Sequence, residues 1–296
     1  MLFSILIPTY NNESSIADAI SSALEQVYDS EYEVIVSNNA STDETLEIIN
    51  SFHDTRLKVI SNEQTVHMYE NHNILLNYAK GDYVLFCHAD DKLQPNALHL
   101  LAQRLKEREF PSKYILTGRS MYGDMAYVAR MNGTSMPVNT PISGQCAKDI
   151  FLHIALSPSG TCYSRIEMLK LGGFPIVQGT VSNDWLFELI AAFNNWEFEL
   201  MDRLYFIRTY ASTMSKLTGD SYWATWNCAA QWFYTNSSPE VRYELENIFN
   251  AETLPLWHSV FQTKERRMTK QMAKYKRNPL RIRRLVKWFC IKYDLM

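Results

Sequence analysis

The sequence predicts an α/β protein, a mostly parallel sheet flanked by helices, with a helical carboxy-terminal extension. Three observations carry this expectation. Short β-branched apolar runs alternate with amphipathic stretches through the amino-terminal third, and strands alternating with helices of roughly ten residues or more join as parallel, right-handed βαβ units. Successive runs end in polar clusters, as strands do where ligands meet the carboxyl edge of an open sheet. A chain of 296 residues, 46% hydrophobic, is long enough for one large α/β domain and an added helical region.

Phe3 to Pro8 is the first strand, and Thr9-Tyr10-Asn11-Asn12-Glu13 comes directly after it. Ile16, Ala19, Ile20, Ala23, Leu24 and Val27 then fall on one helical face. Glu33 to Ser37 is a second strand, ending in Asn38-Asn39-Ala40-Ser41-Thr42-Asp43, with a helix beyond it through Leu46, Ile49 and Phe52. Leu57 to Ile60 reads as a third strand and Tyr69 to Ala79 as a third helix, before Gly81 punctuates the chain. Tyr83 to Cys87 is the fourth strand, and it stops at His88-Ala89-Asp90-Asp91. Three strand ends therefore place polar clusters on one edge of one sheet.

Adjacent carboxylates at such a tip suit a divalent cation and a phosphate. A solvated turn leading into a helix accounts for the tetrapeptide equally well, since acids favour helix amino termini and Pro95 suits a first turn. The remaining strand-end clusters favour the ligand reading.

Five segments occur in order: SILIPTYNNESSIADAISSALEQ, EVIVSNNASTDETLEII, ENHNILLNYAKGDYVLFCHADDKLQPNAL, LGGFP and SNDWLFELIAAF. Together they resemble the family 2 glycosyltransferases, inverting enzymes of the Rossmann-like GT-A fold that include bacterial polysaccharide and O-antigen glycosyltransferases. The resemblance covers residues 1–215, with a nucleotide-sugar half over about 1–110 and an acceptor half over about 111–215, and leaves 216–296 as a helical, basic amphipathic region. It implies inverting, metal-dependent transfer of a hexosyl or N-acetylhexosaminyl unit. The donor would be a nucleotide-diphosphate sugar, UDP-linked, and the acceptor a hydroxyl of an oligosaccharide or lipid-linked glycan in bacterial surface-polysaccharide synthesis.

The resemblance also implies roles for single residues. Asp90 stands where the last acid of the family's Asp-x-Asp motif lies and is the expected metal ligand. Carboxylate and phosphate oxygens are hard donors, so the ion is Mn2+ or Mg2+. His88 replaces the first aspartate; its neutral ring can hydrogen-bond a ribose hydroxyl but adds no negative charge, and Ala89 lies between the two in the same nucleotide-binding turn. Asp91 is either an acid behind the ligand or the cap of the next helix. Pro8, Thr9, Tyr10 and Glu13 match the first nucleotide-binding loop, although by themselves they also read as a capped strand-to-helix turn. Asn38 replaces an aspartate that accepts the N3 hydrogen of uracil, a bond its amide oxygen can still accept. Asp43 suits a helix cap.

Inversion by one displacement needs a base for the acceptor proton, and Asp184 matches the family's acid for that task. Without the family context Asp184 reads as a charge at a helix start. Asn183 replaces the acid often beside it, and Asn183 and Trp185 are the expected acceptor or sugar contacts, with core packing the other reading for Trp185. Ser157 to Arg165 and Leu171 to Pro175 match an acceptor-side strand and a glycine turn. Near Arg208 relatives place a metal- or diphosphate-binding histidine. Here that position is Tyr210, and Arg208 is the expected phosphate partner.

The departures at Asn38, His88 and Tyr210 keep a second function open, a non-catalytic nucleotide-sugar-binding homologue serving in an assembly. A sugar-phosphate nucleotidyltransferase would open with a glycine-rich phosphate loop, and Pro8 to Glu13 is not one.

The net charge of −3 hides an asymmetry: Lys264 to Lys292 carries twelve basic residues against Glu265 alone. Ile282, Leu285, Val286, Phe289 and Tyr293 share one helical face there, a pattern that fits an anionic membrane surface or a helix packed on the catalytic domain. No recognised module accompanies the charge, so nucleic acid is not an expected partner. Aromatic residues between Ser221 and Phe261, among them Trp232, Phe233 and Tyr234, suit packing onto the domain or onto a second copy in a homo-oligomer. Five cysteines without pairing or zinc spacing, and a first strand beginning almost at Met1, fit a cytoplasmic chain, peripheral at the inner face of a membrane. No apolar run approaches the roughly 20 residues that span a bilayer.

Overall fold

The computed structural model describes residues 1–122, 125–127, 137–144, 156–208, 228–229 and 231–248. The strands β1 (Phe3–Thr9), β2 (Tyr32–Asn38), β3 (Leu57–Ser61) and β4 (Tyr83–Phe86) lie parallel in the order β3-β2-β1-β4. Their side chains alternate between two cores. Phe3, Ile5 and Ile7 of β1 and Tyr83 and Leu85 of β4 face one, while Leu6, Val84 and Phe86 face the other. A sheet buried on both faces needs near-continuous apolar strands, which is how these runs read.

Helices cover both faces. Beneath one lie α1 (Ile16–Leu24), α2 (Thr45–Asn50) and α4 (Ala97–Glu107), burying Ile16, Ala19, Ile20, Ile49, Leu98, Leu101 and Leu105. Over the other lie α3 (Met68–Tyr78), α5 (Arg165–Lys170) and α6 (Asn183–Phe193), burying Leu75, Leu76, Met168, Trp185, Leu186 and Leu189. The first two helices are shorter than the pattern suggests. Ser51 Oγ–H donates to the Ile48 carbonyl, drawing off an acceptor at the end of α2. Val27, expected on the buried face of α1, lies beyond its end and is 67% exposed, with its N–H donating to Pro95 O.

The second half of the sheet is mixed. It continues β8-β6-β9-β5, with β8 (Thr161–Ser164) antiparallel to both β4 and β6 (Tyr114–Tyr122). The long β9 (Glu197–Arg208) runs parallel to β6 and antiparallel to β5 (Asp91–Leu93), and β7 (Met125–Tyr127) pairs with β6 off the main path. Asp91 therefore opens a strand and caps no helix, because its backbone is claimed by Arg208 across the sheet. Pro95 precedes the first turn of α4, whose cap position is Asn96.

Glu199 of β9 is fully buried and ionised among donors. Arg104 and Arg108 of α4 and the hydroxyl of Tyr114 all donate to it. Burial opposes its charge, but these bonds together hold its carboxyl below the usual range. In the carboxy-terminal region, residues 231–236 are helical and α7 (Pro239–Ile248) begins at a proline, a residue suited to a first helical turn. Phe233 is buried against Phe193 of α6, and Trp232 and Tyr234 pack on the same core. Tyr210, Trp226, Trp257 and the basic stretch 264–296 lie outside the described residues.

Candidate active site

The strand tips face a common edge, and the loops beyond them are laced together. The Asn39 amide donates to Thr9 O, the Asn12 amide to Thr45 Oγ1, and the Asn11 amide to Ser41 Oγ. In return Asn11 Oδ1 accepts from the Thr42 amide, and Glu13 Oε2 from the Glu44 amide. Asn11 (φ 52°) and Ala40 (φ 56°) both take the left-handed conformation needed for turns this tight. Asp43 accepts from the amides of Thr45 and Glu13. Burial opposes its ionisation, yet these bonds hold its carboxyl below the usual range, so the residue is a structural cap joining the two loops.

Of the first-loop residues, Pro8 and Thr9 are buried, whereas Tyr10 and Glu13 are exposed at the rim. Asn38 is 2% exposed, and its Oδ1 accepts from the Ser41 amide, which engages one of the oxygen's two lone pairs.

At the β4 tip, His88, Asp90 and Asp91 each bring a ligand atom within 4.8 Å of the others, with Ala89 buried between them. Ser159, just before β8, braces this turn: it accepts from the His88 amide at 2.8 Å and donates to Asp91 Oδ2 at 2.7 Å. The Asp91 amide closes the turn on His88 O at 3.0 Å. Strand register sets Arg208 opposite Asp91, so the backbone of the expected phosphate partner adjoins the acidic cluster.

His88 Nε2 lies 3.0 Å from Nε2 of His72 on α3, and His72 Nδ1 lies 2.8 Å from Met68 O. Burial holds His72 neutral, with its pKa lowered to about 4. Its ring centroid is 5.1 Å from that of Tyr69, and Tyr69 in turn meets Asp184 through its hydroxyl, which also lies 3.5 Å from Val181 O. One face of α3 thus touches both the acidic cluster and the candidate base.

Asp184 sits in the first turn of α6, half-buried, with Oδ1 accepting from the Trp185 amide at 2.9 Å. Glu188, one turn further on, is fully buried. Burial first, and the Asp184 charge second, raise its carboxyl well above the usual range and so favour the protonated form. Its Oε2 accepts from the Leu156 amide.

Two expected sugar contacts sit elsewhere. Trp185 is wholly buried in the core, and Asn183, equally buried, uses Oδ1 to accept from the Val177 amide and Nδ2 to donate to Thr180 O. Helix α6 is packed around most of its circumference, so that Asn183 and every residue from Trp185 to Leu189 is buried while Asp184 reaches the surface.

Sequence reasoning missed His72, Tyr69, Glu188 and Ser159. Tyr69, His72, Leu76 and Ala79 keep helical spacing on an apolar stripe, which marks His72 as a polar group carried inward. Glu188 interrupts the apolar run from Trp185 to Leu189. Ser159 carries no comparable mark.

Residues 4–126 match the model of the family described as glycosyl transferase family 2. The chain carries a family 2 glycosyltransferase domain. Within it lie the first two loops, the β4 tip and His72. Among curated relatives, the chain is 31% identical over 126 residues to the Escherichia coli UDP-Glc:alpha-D-GlcNAc-diphosphoundecaprenol beta-1,3-glucosyltransferase WfgD, covering 41% of this chain and 49% of that protein. It is 33% identical over 101 residues to the Staphylococcus aureus poly(ribitol-phosphate) beta-N-acetylglucosaminyltransferase TarS, covering 33% of this chain and 18% of that one. The matches therefore span half or less of these relatives' length.

The crystal structure of S. aureus TarS 1–349 in complex with UDP-GlcNAc superposes with a TM-score of 0.64 at 25% identity, over 88% of this chain and 73% of that one. The family 2 domain here thus has the GT-A fold, as the sequence suggests. The Pyrobaculum calidifontis mannosyltransferase PcManGT, in complex with GDP-Man and Mn2+, shares that fold with a TM-score of 0.56 at 16% identity, over 99% of this chain and 86% of that one.

Proposed function

We propose that this protein is an inverting glycosyltransferase that moves a sugar from a UDP-linked donor to an acceptor hydroxyl of a bacterial surface glycan, oligosaccharide or lipid-linked. The observation that carries the reading is the braced cluster of His88, Asp90 and Asp91 at the end of a parallel strand, beside two interlocked strand-end loops. That edge is where nucleotides bind in open α/β sheets. The curated relatives are bacterial, and the UDP-GlcNAc complex of the TarS fragment makes a UDP-linked donor the first to test.

Pro8, Thr9, Tyr10 and Glu13 on one loop and Asn38 on the other receive the base and ribose. Asn38 Oδ1 retains a second lone pair for the N3 hydrogen of uracil. The donor set of two carboxylates and an imidazole fits Mn2+ or Mg2+, held by Asp90 with Asp91 and His88 beside it. When bound, such an ion supplies positive charge beside the diphosphate. Arg208 adds a guanidinium for the phosphates.

Asp184 takes the acceptor proton as the hydroxyl attacks the anomeric carbon, and Tyr69 orients it. Residues 1–215 form the catalytic unit, and the basic stretch 264–296 holds the protein against an anionic membrane surface, where lipid-linked acceptors lie.

The reading is tested by thermal stability across a panel of nucleotide sugars, each with Mn2+ and with chelator, and then by nucleotide release for any that bind. A UDP-sugar should stabilise the protein only with Mn2+ and release UDP when acceptor is supplied. Binding without release across a broad acceptor set would establish the non-catalytic alternative, and no stabilisation by any donor would overturn the nucleotide site.

A further inference from the structure

We propose that His72 is a positioning residue that sets the tautomer of His88, protonated at Nε2, so that Nδ1 is the His88 atom able to ligate a cation or accept from a donor hydroxyl. The inference rests on reading the β4 tip as a metal and nucleotide site.

Proton accounting along one chain of atoms carries it. Met68 O can only accept, so the 2.8 Å contact requires a proton on His72 Nδ1. A second proton on His72 would make a cation in an aromatic enclosure, with Tyr69, Phe86 and Phe174 centroids 5.1, 5.3 and 5.7 Å away and no counter-charge among those rings. His72 Nε2 therefore holds a lone pair. The 3.0 Å contact between the two Nε2 atoms needs one proton, and it belongs to His88. His88 therefore donates from Nε2, which leaves Nδ1 as the ring nitrogen not engaged by His72.

The ring is then gripped at two points. Ser159 accepts from the His88 backbone amide and ties it to Asp91, while His72 holds the far nitrogen. A buried partner that fixes a ligand's tautomer and orientation typically changes metal affinity about 10- to 100-fold when removed. Where a carboxylate presents two equivalent oxygens, an imidazole presents one usable atom, so the substitution at position 88 works only with its tautomer set.

The test uses the full chain with nitrogen-labelled histidine. In the metal-free protein, NMR should show a protonated, pyrrole-type Nε2 on His88 and an unprotonated, pyridine-type Nε2 on His72. An unprotonated Nε2 on His88 would overturn the proposal without reference to any metal. Mn2+ affinity by electron paramagnetic resonance should fall about 10- to 100-fold in His72→Phe, which cannot accept, and stay within a few-fold of wild type in His72→Gln, whose side-chain oxygen can. Equal losses in both variants, or none in His72→Phe, would refute the positioning role. A wild-type protein that binds no Mn2+ would refute the metal reading instead, with the NMR result still deciding the histidine pair.

Discussion

Asp184 and Glu188 lie one turn apart on α6, and their surroundings give them opposite tasks. Asp184 reaches the surface of the site and accepts from its neighbour's amide, whereas Glu188 is fully buried, which pushes its carboxyl towards the protonated form. Replacing Asp184 with Asn removes the proposed base while preserving shape. Transfer should drop about 100- to 10,000-fold with donor affinity within a few-fold of wild type, as read by initial rates and donor titration. Transfer at the wild-type rate would remove Asp184 from the chemistry.

For Glu188 the sign comes from proton binding. Its ordinary pKa is 4.5, and its native value lies well above that, so the folded state binds the extra proton between the two. Its contribution to stability is complete below 4.5 and is lost as pH rises through the native value. Glu188→Gln cannot ionise, so its melting temperature should gain on wild type as pH is raised from about 5 to about 8, with a difference of at most about 1.4 kcal/mol per pH unit. Parallel curves would mean that Glu188 is ionised in the native protein.

Between α5 and α6 the chain turns through Gly172 (φ +86°) and Gly173 (φ +73°), and this turn sets how α3 meets α6. Asn73 of α3 accepts from the Phe174 amide and donates to Phe174 O, both at 2.8 Å. A Cβ on Gly173 would stand 2.4 Å from Asn73 Oδ1, while one on Gly172 meets nothing within 4 Å. Gly172→Ala should therefore cost about 1–2 kcal/mol from backbone strain alone. Gly173→Ala should cost more, about 3 kcal/mol, and also lower transfer, because Tyr69 and Asp184 meet across the same junction. Urea unfolding of the two variants checks this; equal costs would show that Asn73 yields freely. The glycine pair was legible in the sequence as a turn, but the Asn73 clamp was not, since nothing local to Asn73 indicates a partner about a hundred residues away.

Over the whole molecule, charge separates by region. Twelve basic residues between Lys264 and Lys292 leave the rest of the chain acidic, despite a net charge of only −3. If this stretch docks on membranes, each basic side chain contributes about 1 kcal/mol at close approach to an anionic surface. Deleting Lys264 to Met296 should abolish sedimentation with anionic vesicles and leave the negligible binding to neutral ones unchanged. Unchanged sedimentation with anionic vesicles would dismiss the membrane role. Among the described residues after β9, Phe233 packs against Phe193 of α6 and Trp232 against the same core.

Periodicity within short windows was enough to place β1 to β4 and α1 to α3, because alternation and helical spacing are local consequences of burying one face. The ordered strand-end motifs were enough to mark Asp90, Asn38 and the loop from Pro8 to Glu13 as one edge. Pairings that span the chain were not readable: Asp91 with Arg208, Ser159 with Asp91, Tyr69 with Asp184 and His72 with His88. Each depends on where distant segments come to rest. Trp185 makes the same point in reverse, since an aromatic at a helix start is more often core than sugar contact, and only the packed structure places this one wholly in the core. Local patterns encode which face turns inward, and the proton carried by His88 is settled only when α3 is laid against β4.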